Sequence, residues 1–315
     1  MSNYTAIINH ALSQCLTESD LKIGTKYRGK VRDTYDLGDS LFILTTDRQS
    51  AFDRVLAAVP FKGQVLNLLS AWWFEKTKHI IPNHVLKIPA PNVTIAKKCT
   101  VFPIEFVVRG YITGSPNTSL WAQYQQGARY YCGHHLPEGL VKNQKLPQAI
   151  ITPTTKDAEH DRLISPQEII QEQLMTAEEW DYASNAALAL FAFGVKTAQQ
   201  KGLILVDTKY EMGRDAGNNI LLIDELHTPD SSRYWLADSY EERFMAGKEP
   251  VNMDKEFLRL WFAEHCDPYH DALLPEAPEE LVTTLSARYI QLYEMITGCG
   301  FIFDKAQGYA SCVEL

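Results

Sequence analysis

The stretch GLILVDTKYEMG, residues 202–213, combines an apolar run with charged residues at every second position. The apolar residues 203–206 predict a buried β-strand, and Asp207, Lys209 and Glu211 follow in alternation with uncharged residues. Alternate side chains of a strand lie on the same face, so the three charges are expected to point the same way. Buried charges are costly unless they are paired or bind a metal or an ionic ligand. The strand therefore predicts an ion-binding cleft at its end.

A second apolar strand, NILLIDEL, follows after the turn GRDAGNN, so residues 203–211 and 219–225 predict a β-hairpin. Directly opposed residues in an antiparallel pair have a constant sum of residue numbers. An odd sum would place Asp224 on the face of Glu211, roughly 5–8 Å away, where both carboxylates could share one hard cation. An even sum would turn Asp224 to the other face and remove the metal site. The alternative is an exposed hairpin whose charges pair in solvent.

Length and composition are those of a water-soluble globular protein with two or three domains. The 315 residues are 45% hydrophobic and 22% charged, and the formal net charge is −9. A negative chain is not expected to bind nucleic acid or an anionic membrane, which need a basic surface. Six scattered cysteines predict free thiols in a reducing compartment. The N-terminus resembles no signal peptide and no apolar run reaches ~18 residues, so we expect a cytoplasmic protein.

Periodicity predicts helices near both ends of the chain and one long helix between them. Three helices are indicated before the tail: 3–16, 63–80, and one that starts at a capping box of Thr176 and Glu179 and ends at Gly202. The tail from about Asp238 is helical in DKEFLRLWFAEHC and in APEELVTTLSARYIQLYEMITG, and the second of these helices closes at Gly298. Pro103 in CTVFPIEFVVRGYITGS (99–115) predicts an edge strand or connector, where we place a domain junction. Residues 116–162 predict long ordered loops. The domains expected are 1–104, 105–237 and 238–315, the last with no motif linked to chemistry and a packing role.

A basic hairpin is predicted near the N-terminus, in KYRGKVRDTYD (26–36). Lys26, Arg28, Lys30 and Arg32 alternate around Gly29, which permits a tight turn and close approach to a phosphate. Four converging cations would suit a triphosphate. The motif is neither a Walker loop nor a dinucleotide fingerprint, and a solvated edge strand with lysines is the alternative.

Three further segments carry candidate ligand-binding residues. FVVRGYITGS (106–115) offers Arg109 and Ser115 around two glycines, a pattern suited to phosphate. ITPTTKDAEHD (151–161) places Lys156 and Asp161 in a polar loop, and DELHTPDSSRYW (224–235) adds Arg233 next to the acidic hairpin. For each of them, a solvated surface loop is the alternative.

Taken in order, these segments resemble the SAICAR synthetase family of purine biosynthesis. The similarity spans residues 26–236 and rests on YRGKVRDTYD, TTDRQSAFDRVL, FPIEFVVRGYITGS, ITPTTKDAEHD, GLILVDTKYEMG and DELHTPDSSRYW. Met212 stands where the family commonly has phenylalanine, an apolar exchange without a catalytic consequence. The resemblance implies an α+β, two-lobed ATP-binding fold. Its small β-rich N-terminal lobe is distantly like that of protein kinases, its second lobe is a larger α/β unit, and C-terminal helices complete it.

The resemblance also implies an ATP-dependent ligase. ATP, carboxyaminoimidazole ribonucleotide (CAIR) and L-aspartate would give SAICAR, ADP and phosphate through an acyl phosphate. The implied roles are Mg²⁺ ligands for Glu211 and Asp224; ATP-phosphate contacts for Lys30 and Arg32; adenine contacts through the backbone at Phe102, Ile104 and Glu105; ribose-phosphate contacts for Arg109, Ser115 and Arg233; contacts to the imidazole and its carboxylate for Asp207 and Lys209; and substrate contacts for Lys156 and Asp161. Of these, Lys209, Asp207 and Lys30 are the catalytic candidates.

Two other functions remain open at the level of sequence. A kinase-like phosphotransferase would need H-R-D-x-x-x-x-N and D-F-G motifs, and the sequence contains neither. A non-catalytic nucleotide sensor would use the same charges as salt bridges. The expected partners are small molecules only, with no nucleic acid and no membrane, and the protein is expected to be a monomer or a small homo-oligomer.

Overall fold

The computed structural model describes residues 4–114, 119–156 and 162–304, which form an α+β structure with antiparallel sheets and C-terminal helices, as predicted. The helices are α1 (Thr5–Ala11), α2 (Lys62–Thr77), α3 (Leu120–Gln125), α4 (Pro166–Gln171), α5 (Ala177–Gln200), α6 (Tyr240–Met245), α7 (Glu256–His265) and α8 (Glu279–Thr297). The strands are β1 (Thr25–Arg28), β2 (Arg32–Asp36), β3 (Ser40–Thr45), β4 (Arg48–Ala51), β5 (Arg54–Ala58), β6 (Val85–Ala90), β7 (Val93–Lys97), β8 (Thr100–Ile112), β9 (Tyr130–Tyr131), β10 (His134–His135), β11 (Gln144–Ile151), β12 (Thr154–Thr155), β13 (Leu203–Arg214), β14 (Ile220–Ile223) and β15 (Ser232–Leu236).

The N-terminal part of the chain builds a five-stranded sheet in the order β1-β2-β3-β7-β6. Helix α2 is tied to this sheet by Asn67, whose side-chain amide donates to the carbonyl of Pro91 at 3.0 Å and accepts from the Thr94 hydroxyl at 2.7 Å. The helix is apolar on more than one side, with Val65 and Trp73 fully buried in two different hydrophobic clusters. It therefore lies between the N-terminal sheet and the rest of the molecule.

The second sheet has the order β11-β8-β13-β14, with β12 also paired to β8 and β15 to β13. Strand β8 runs unbroken past Pro103 and lies in the interior of this sheet, so the predicted edge strand or connector is wrong. The ladder between β8 and β13 shifts register between the pairs Glu211–Glu105 and Gly213–Val101. Pro103 falls in this bulge, where its missing N–H breaks no regular pair. The predicted domain boundary at 104/105 lies inside β8, and the domain division stays a prediction.

Helix α5 covers one face of the second sheet and begins as predicted. The Thr176 hydroxyl accepts from the Glu179 N–H at 3.2 Å, and the Glu179 carboxylate accepts from the Thr176 N–H at 2.9 Å. This capping box satisfies N–H groups that a helix start otherwise leaves unpaired. The ring of Trp180 stacks on Phe106 of β8 at 5.5 Å, which fixes α5 on the sheet.

The C-terminal helices pack against the N-terminal half of the molecule. Helix α8 ends at Gly298, which has a left-handed φ of 73°, as the sequence predicts. Its Ser286 hydroxyl donates to the Pro60 carbonyl at 2.7 Å, and its Thr283 hydroxyl donates to Asn9 of α1 at 2.8 Å. The two ends of the chain are thus joined in one hydrophobic cluster with α2 and α7.

The prediction of long loops over 116–162 is wrong for most of the described part of this segment. It contains α3, the short β9–β10 pair, the eight-residue strand β11 and β12. Strand β11 could not be recognised in the sequence, because it contains Pro147 and several polar residues. It pairs with β8 on either side of an irregularity between Lys145 and Ile150. The segment is therefore part of the sheet that carries the charged residues of β13.

Two findings bear on the predicted environment of the protein. The five cysteines within the described ranges, Cys15, Cys99, Cys132, Cys266 and Cys299, are free thiols. In the same ranges, no helix has the length and apolar character needed to cross a membrane.

Candidate functional site

The β13–β14 hairpin forms, but its register differs from the one that would favour a shared cation. Glu211 lies opposite Ile223, so opposed residues have an even sum, and regular alternation would turn Asp224 away. Asp224 is not part of the strand, however. It follows β14 with a left-handed φ of 64°, and this reversal ends the alternation. The rule of alternating faces therefore does not apply to Asp224, and its position must be taken from its contacts.

A compact cluster of charges surrounds Lys209 on β13. Its ammonium group donates to Glu105 at 2.7 Å and to Glu211 at 2.8 Å, and Glu211 also accepts from Lys156. Burial acts to lower the pKa of Lys209, but Glu211, Glu105 and Asp224 outweigh it and hold that pKa well above its ordinary value. The structure thus places Asp224 close enough to act on Lys209, although the hairpin register alone would not.

The pKa of Glu211 moves in the opposite direction. Burial acts to raise it, but Lys209 and Lys156 lower it to about 2. The Glu211 carboxylate is therefore ionised at any physiological pH. A buried, permanently charged carboxylate between two lysines can exchange one of these cations for a metal ion or bring a cation beside an anionic substrate.

Arg32 connects the N-terminal sheet to the acidic residues of the hairpin. It donates to Asp224 at 2.8 Å and lies 3.0 Å from Glu225. Burial acts to lower the pKa of Arg32, but these two carboxylates outweigh it, so the pKa is raised. Arg32 and Asp224 are 192 positions apart in the chain, and their contact links the first sheet to the end of β14 in the second.

The four predicted basic residues do not converge on one phosphate site. Strands β1 and β2 pair Lys26 with Tyr35 and Arg28 with Asp33, so the side chains of Lys26 and Arg28 lie on the face opposite to that of Arg32. Lys26 pairs with Asp33 and Arg28 with Glu18, whereas the exposed Lys30 pairs with Asp53. Only Arg32 reaches the carboxylates of the cleft, and Lys30 lies in the turn between the two strands.

This turn is held by a residue that the sequence analysis missed. Arg48 is buried and donates to the carbonyls of Gly29 at 3.0 Å and Lys30 at 3.2 Å. Its charge is balanced by Asp33 at 2.7 Å. Arg48 lies in TTDRQSAFDRVL (45–56), a segment that supported the resemblance to the SAICAR synthetase family but was not assigned a role of its own. The position of Lys30 therefore depends on a buried arginine from β4.

Asp207, at the start of the charged row on β13, lies between two arginines. It pairs with Arg233 of β15 and with Arg109 of β8 at 3.4 Å, and Arg109 also donates to Thr152 at 2.8 Å. All three side chains are largely buried and line a cavity of about 190 Å³ that also reaches Lys209. The structure thus brings four predicted residues, Asp207, Lys209, Arg109 and Arg233, to one cavity.

The same cavity has a wall from a part of the chain that carried no motif. The cavity is also lined by residues 230–232 and by Asp254, Lys255, Glu256 and Arg259, which lie just before the start of α7 and in its first turn. Besides packing, which the sequence predicts as the simplest role of residues 238–315, this segment therefore also supplies part of the cavity wall. A signal was present in MDKEFLR (253–259), where charges concentrate at the start of an amphipathic helix. This pattern is also common on solvent-exposed helices, so the sequence alone could not show whether these residues form a binding site or an ordinary surface.

Asp230 ties the cavity to the C-terminal helix. It lies 2.7 Å from the fully buried Lys62 ammonium and accepts from the Tyr289 hydroxyl of α8 at 2.8 Å. Burial acts to raise the pKa of Asp230, but Lys62 and Lys255 hold it low, at about 2. The turn before Arg233 is therefore anchored by α2 and α8.

The segment predicted to hold adenine lies inside the second sheet. Phe102 and Ile104 are buried in the core, the Pro103 carbonyl accepts from the Lys156 N–H at 3.0 Å, and Ile104 and Glu105 pair with β12. The Glu105 side chain instead binds Lys209. Much of this backbone is engaged within the sheet, and adenine binding by this segment stays a prediction.

Two predicted residues, Ser115 and Asp161, lie outside the described residues. Lys156 is described, is partly exposed and contacts Glu211. Within 4–114, 119–156 and 162–304, no group of three or more His, Cys, Asp or Glu side chains is arranged to hold a metal ion. Proteins usually hold Mg²⁺ with one or two carboxylates while waters and substrate phosphates complete the shell, so the assignment of Glu211 and Asp224 as Mg²⁺ ligands stays a prediction.

Comparison with known proteins gives a consistent result. A model of the SAICAR synthetase family matches residues 25–275. The phosphoribosylaminoimidazole-succinocarboxamide synthase of Legionella pneumophila (strain Paris) is 67% identical over 294 residues, which cover 93% of this chain and 94% of that protein. The chloroplastic synthase of Arabidopsis thaliana is 62% identical over 296 residues, covering 92% of this chain and 72% of the relative.

Solved structures agree in fold. The SAICAR synthase of Saccharomyces cerevisiae complexed with SAICAR superposes with a TM-score of 0.78 at 32% identity, covering 91% of this chain and 100% of that one. A SAICAR synthetase in complex with ADP gives a TM-score of 0.68 at 25% identity, covering 89% of this chain and 100% of that one. The chain therefore belongs to the SAICAR synthetase family, the phosphoribosylaminoimidazole-succinocarboxamide synthases of purine biosynthesis.

Proposed function

We propose that the cleft between the two sheets joins L-aspartate to the carboxylate of CAIR at the expense of ATP. One observation carries this proposal: the alternating charges of β13 form a continuous row, with Asp207 between two arginines and Glu211 between two lysines, and Asp207 and Lys209 of this row line one cavity. Such a row offers separate cationic and anionic contacts along an elongated substrate. The solved relatives bound to SAICAR and to ADP support both the product and the nucleotide.

Arg109 and Arg233 bind the ribose phosphate of CAIR in this proposal, together with Ser115. Guanidinium groups present several N–H donors in a plane that matches phosphate. Asp207 holds both arginines before the substrate enters, which reduces the conformational entropy lost on binding. Lys209 lies two residues further along β13 and contacts the reacting carboxylate.

At the other end of the row, Glu211 and Asp224 hold Mg²⁺ and the triphosphate lies along Arg32 and Lys30. When bound, Mg²⁺ neutralises charge on the phosphate oxygens. Arg32 is placed for this role by its pairing with Asp224, and Lys30 by the turn that Arg48 supports. Lys156 pairs with Glu211 and, with Asp161, contacts substrate from the 151–161 segment.

The reaction follows from the charges of the reactants. A CAIR carboxylate oxygen attacks the γ-phosphorus of ATP, the bond to the ADP oxygen breaks, and an acyl phosphate forms. The neutral amine of aspartate then attacks the acyl carbon, phosphate leaves with the electron pair of the C–O bond, and the nitrogen loses a proton. The residues of the cleft position the reactants and stabilise negative charge on the transferred phosphoryl group. No side chain needs to form a covalent bond.

Other parts of the assignment stay predictions. These are a two-lobed arrangement distantly like that of protein kinases, adenine binding near residues 102–105, a cytoplasmic location, a monomeric or small homo-oligomeric state, and the absence of nucleic-acid and membrane partners. The first sheet, with Arg32 and the turn around Lys30, supports placing ATP between it and the second sheet.

The decisive experiment is single-turnover product analysis with ATP, CAIR and L-aspartate, each omitted in turn. CAIR labelled with ¹⁸O in its carboxylate should transfer one label to the released phosphate, because that oxygen bridges carbon and phosphorus in the acyl phosphate. We expect SAICAR only when all three substrates are present. ADP release that ignores aspartate and leaves phosphate unlabelled would instead indicate a phosphotransferase.

A further inference from the structure

One cation that lines the cavity beside Asp207 has no hydrogen-bonded or ion-paired partner within the described residues. Arg109 and Arg233 pair with Asp207, Lys209 pairs with Glu105 and Glu211, and Arg259 lies 3.2 Å from Glu256. Lys255 also lines this cavity and is only partly exposed. Within the described ranges, its ammonium group has neither a hydrogen bond nor an ion pair.

The backbone around Lys255 is firmly held. The neighbouring Asp254 carboxylate accepts from the Tyr234 N–H at 2.9 Å and from the Glu256 N–H at 2.8 Å, which ties β15 to the start of α7. The Lys255 carbonyl accepts from the N–H groups of Leu258 and Arg259, both at 3.1 Å. Lys255 is thus presented to the cavity from a fixed point, which favours a specific contact over a mobile surface charge.

The charges around Lys255 indicate which end of the substrate it faces. Burial lowers its pKa, Asp230 and Glu225 raise it, and Arg259 and Lys62 lower it further. Glu225 is the residue that pairs with Arg32, beside Asp224. Lys255 therefore lies within electrostatic reach of Glu225, next to Asp224, and shares its cavity with Lys209 and Arg233.

Resting on the proposed function, we propose that Lys255 binds a carboxylate of L-aspartate and makes the enzyme selective for this amino acid. L-Aspartate brings two carboxylates and must place its amine next to the acyl carbon beside Lys209. The other cations that line the cavity are already balanced by protein carboxylates, whereas Lys255 can accept a carboxylate without losing a protein partner. A pairing of this kind favours a dicarboxylic amino acid over its neutral analogues.

The test is to measure the KM for each of the three substrates in the Lys255→Gln and Lys255→Arg variants. Loss of one charged hydrogen bond should raise the KM for L-aspartate about tenfold or more in Lys255→Gln, equivalent to about 1.4 kcal/mol. The KM values for CAIR and ATP should stay within about twofold, since their ligands are retained. Lys255→Arg keeps the charge and should restore most of the affinity. Lys248→Gln, an exposed lysine of the same C-terminal segment, is the matched control.

Succinate provides a second readout, because it has both carboxylates and lacks the amine. Its inhibition constant against aspartate should rise in Lys255→Gln by the same factor as the aspartate KM. In the unmodified protein, succinate should protect Lys255, but not Lys248, from reductive methylation followed by mass spectrometry. This second measurement decides the matter even if Lys255→Gln does not fold.

Three results would overturn the proposal: an unchanged KM for aspartate, a rise confined to the KM for CAIR, or methylation of Lys255 that succinate does not slow. A rise confined to CAIR would make Lys255 a phosphate ligand instead. All of these are distinct from failure of the proposed function, in which the unmodified enzyme would form no SAICAR from the three substrates.

Discussion

Replacing Glu211 with glutamine tests the proposed metal role, because the structure predicts how much the change should cost. The pKa of Glu211 falls from 4.5 to about 2 although burial opposes the fall. At about 1.4 kcal/mol per pKa unit, the net of the two lysines and the opposing burial favours the ionised form by roughly 3 kcal/mol. Because the folded-state pKa is lowered, this stabilisation is present above pH 4.5 and is lost as the pH falls towards 2. Glu211→Gln should lower the free energy of unfolding at pH 7 by about 1–3 kcal/mol.

The effect on turnover should be much larger than the effect on stability. Substitutions that only support a metal ligand already cost about 10–100-fold in metal affinity. Removing a ligand should therefore raise the Mg²⁺ concentration for half-maximal SAICAR formation by about 100-fold or more. The assay is a Mg²⁺ titration of initial rates at saturating ATP, CAIR and aspartate, with urea unfolding measured in parallel.

Glu105→Gln is the matched control for this experiment. Glu105 contacts the same lysine, Lys209, at 2.7 Å and is similarly buried, but it is not a proposed metal ligand. We expect a comparable loss of stability and a Mg²⁺ requirement within about threefold of the unchanged protein, since the ligand set is intact. Equal Mg²⁺ requirements in the two variants would refute the reasoning and reduce Glu211 to a partner of Lys209.

Three further predictions address the phosphate site, the buried carboxyl beside it and the long helix. Arg233→Met should raise the KM for CAIR about 10- to 100-fold while the KM for ATP stays constant, since Arg233 is removed from the proposed ribose-phosphate site; equal changes in both KM values would contradict this. Burial raises the pKa of Asp254 to about 7, so the folded state retains a proton that the unfolded state has lost. Stability should therefore decline between pH 5 and 8, by about 1 kcal/mol or more, and Asp254→Asn should flatten this decline in urea unfolding measured across that range. Thr176→Ala removes the cap that accepts from Glu179 and should destabilise the protein by about 1 kcal/mol, measured by urea unfolding, whereas Thr176→Ser should lose little.

Local features of the fold were readable from the sequence because their causes lie within a few residues. The capping box of Thr176 and Glu179 spans one helical turn, and the glycine that ends α8 acts through its own backbone conformation. The row Asp207, Lys209 and Glu211 needed only the two-residue repeat of a strand. Each of these predictions was confirmed.

The register of strand pairing and the position of each strand in its sheet could not be predicted from the sequence in this way. Asp224 leaves the alternation of β14 through a left-handed backbone, which an aspartate adopts at a modest cost when its contacts favour it. Pro103 was expected to interrupt a strand, yet a bulge accommodates it inside the sheet. The pairing of β1 with β2 places Arg28 and Arg32 on opposite faces of the sheet, although the two lie only four positions apart in the sequence.

The alternation in GLILVDTKYEMG by itself determined that a buried strand would present a row of charges, and the ordered segments determined the family. Only the tertiary structure decided which charges meet: Arg32 with Asp224, Glu105 with Lys209, and Lys255 with the cavity beside Asp207. Periodicity and capping follow from hydrogen bonds between near neighbours in the chain. Contacts between residues far apart in the chain depend instead on which strands pair and how the sheets and helices pack.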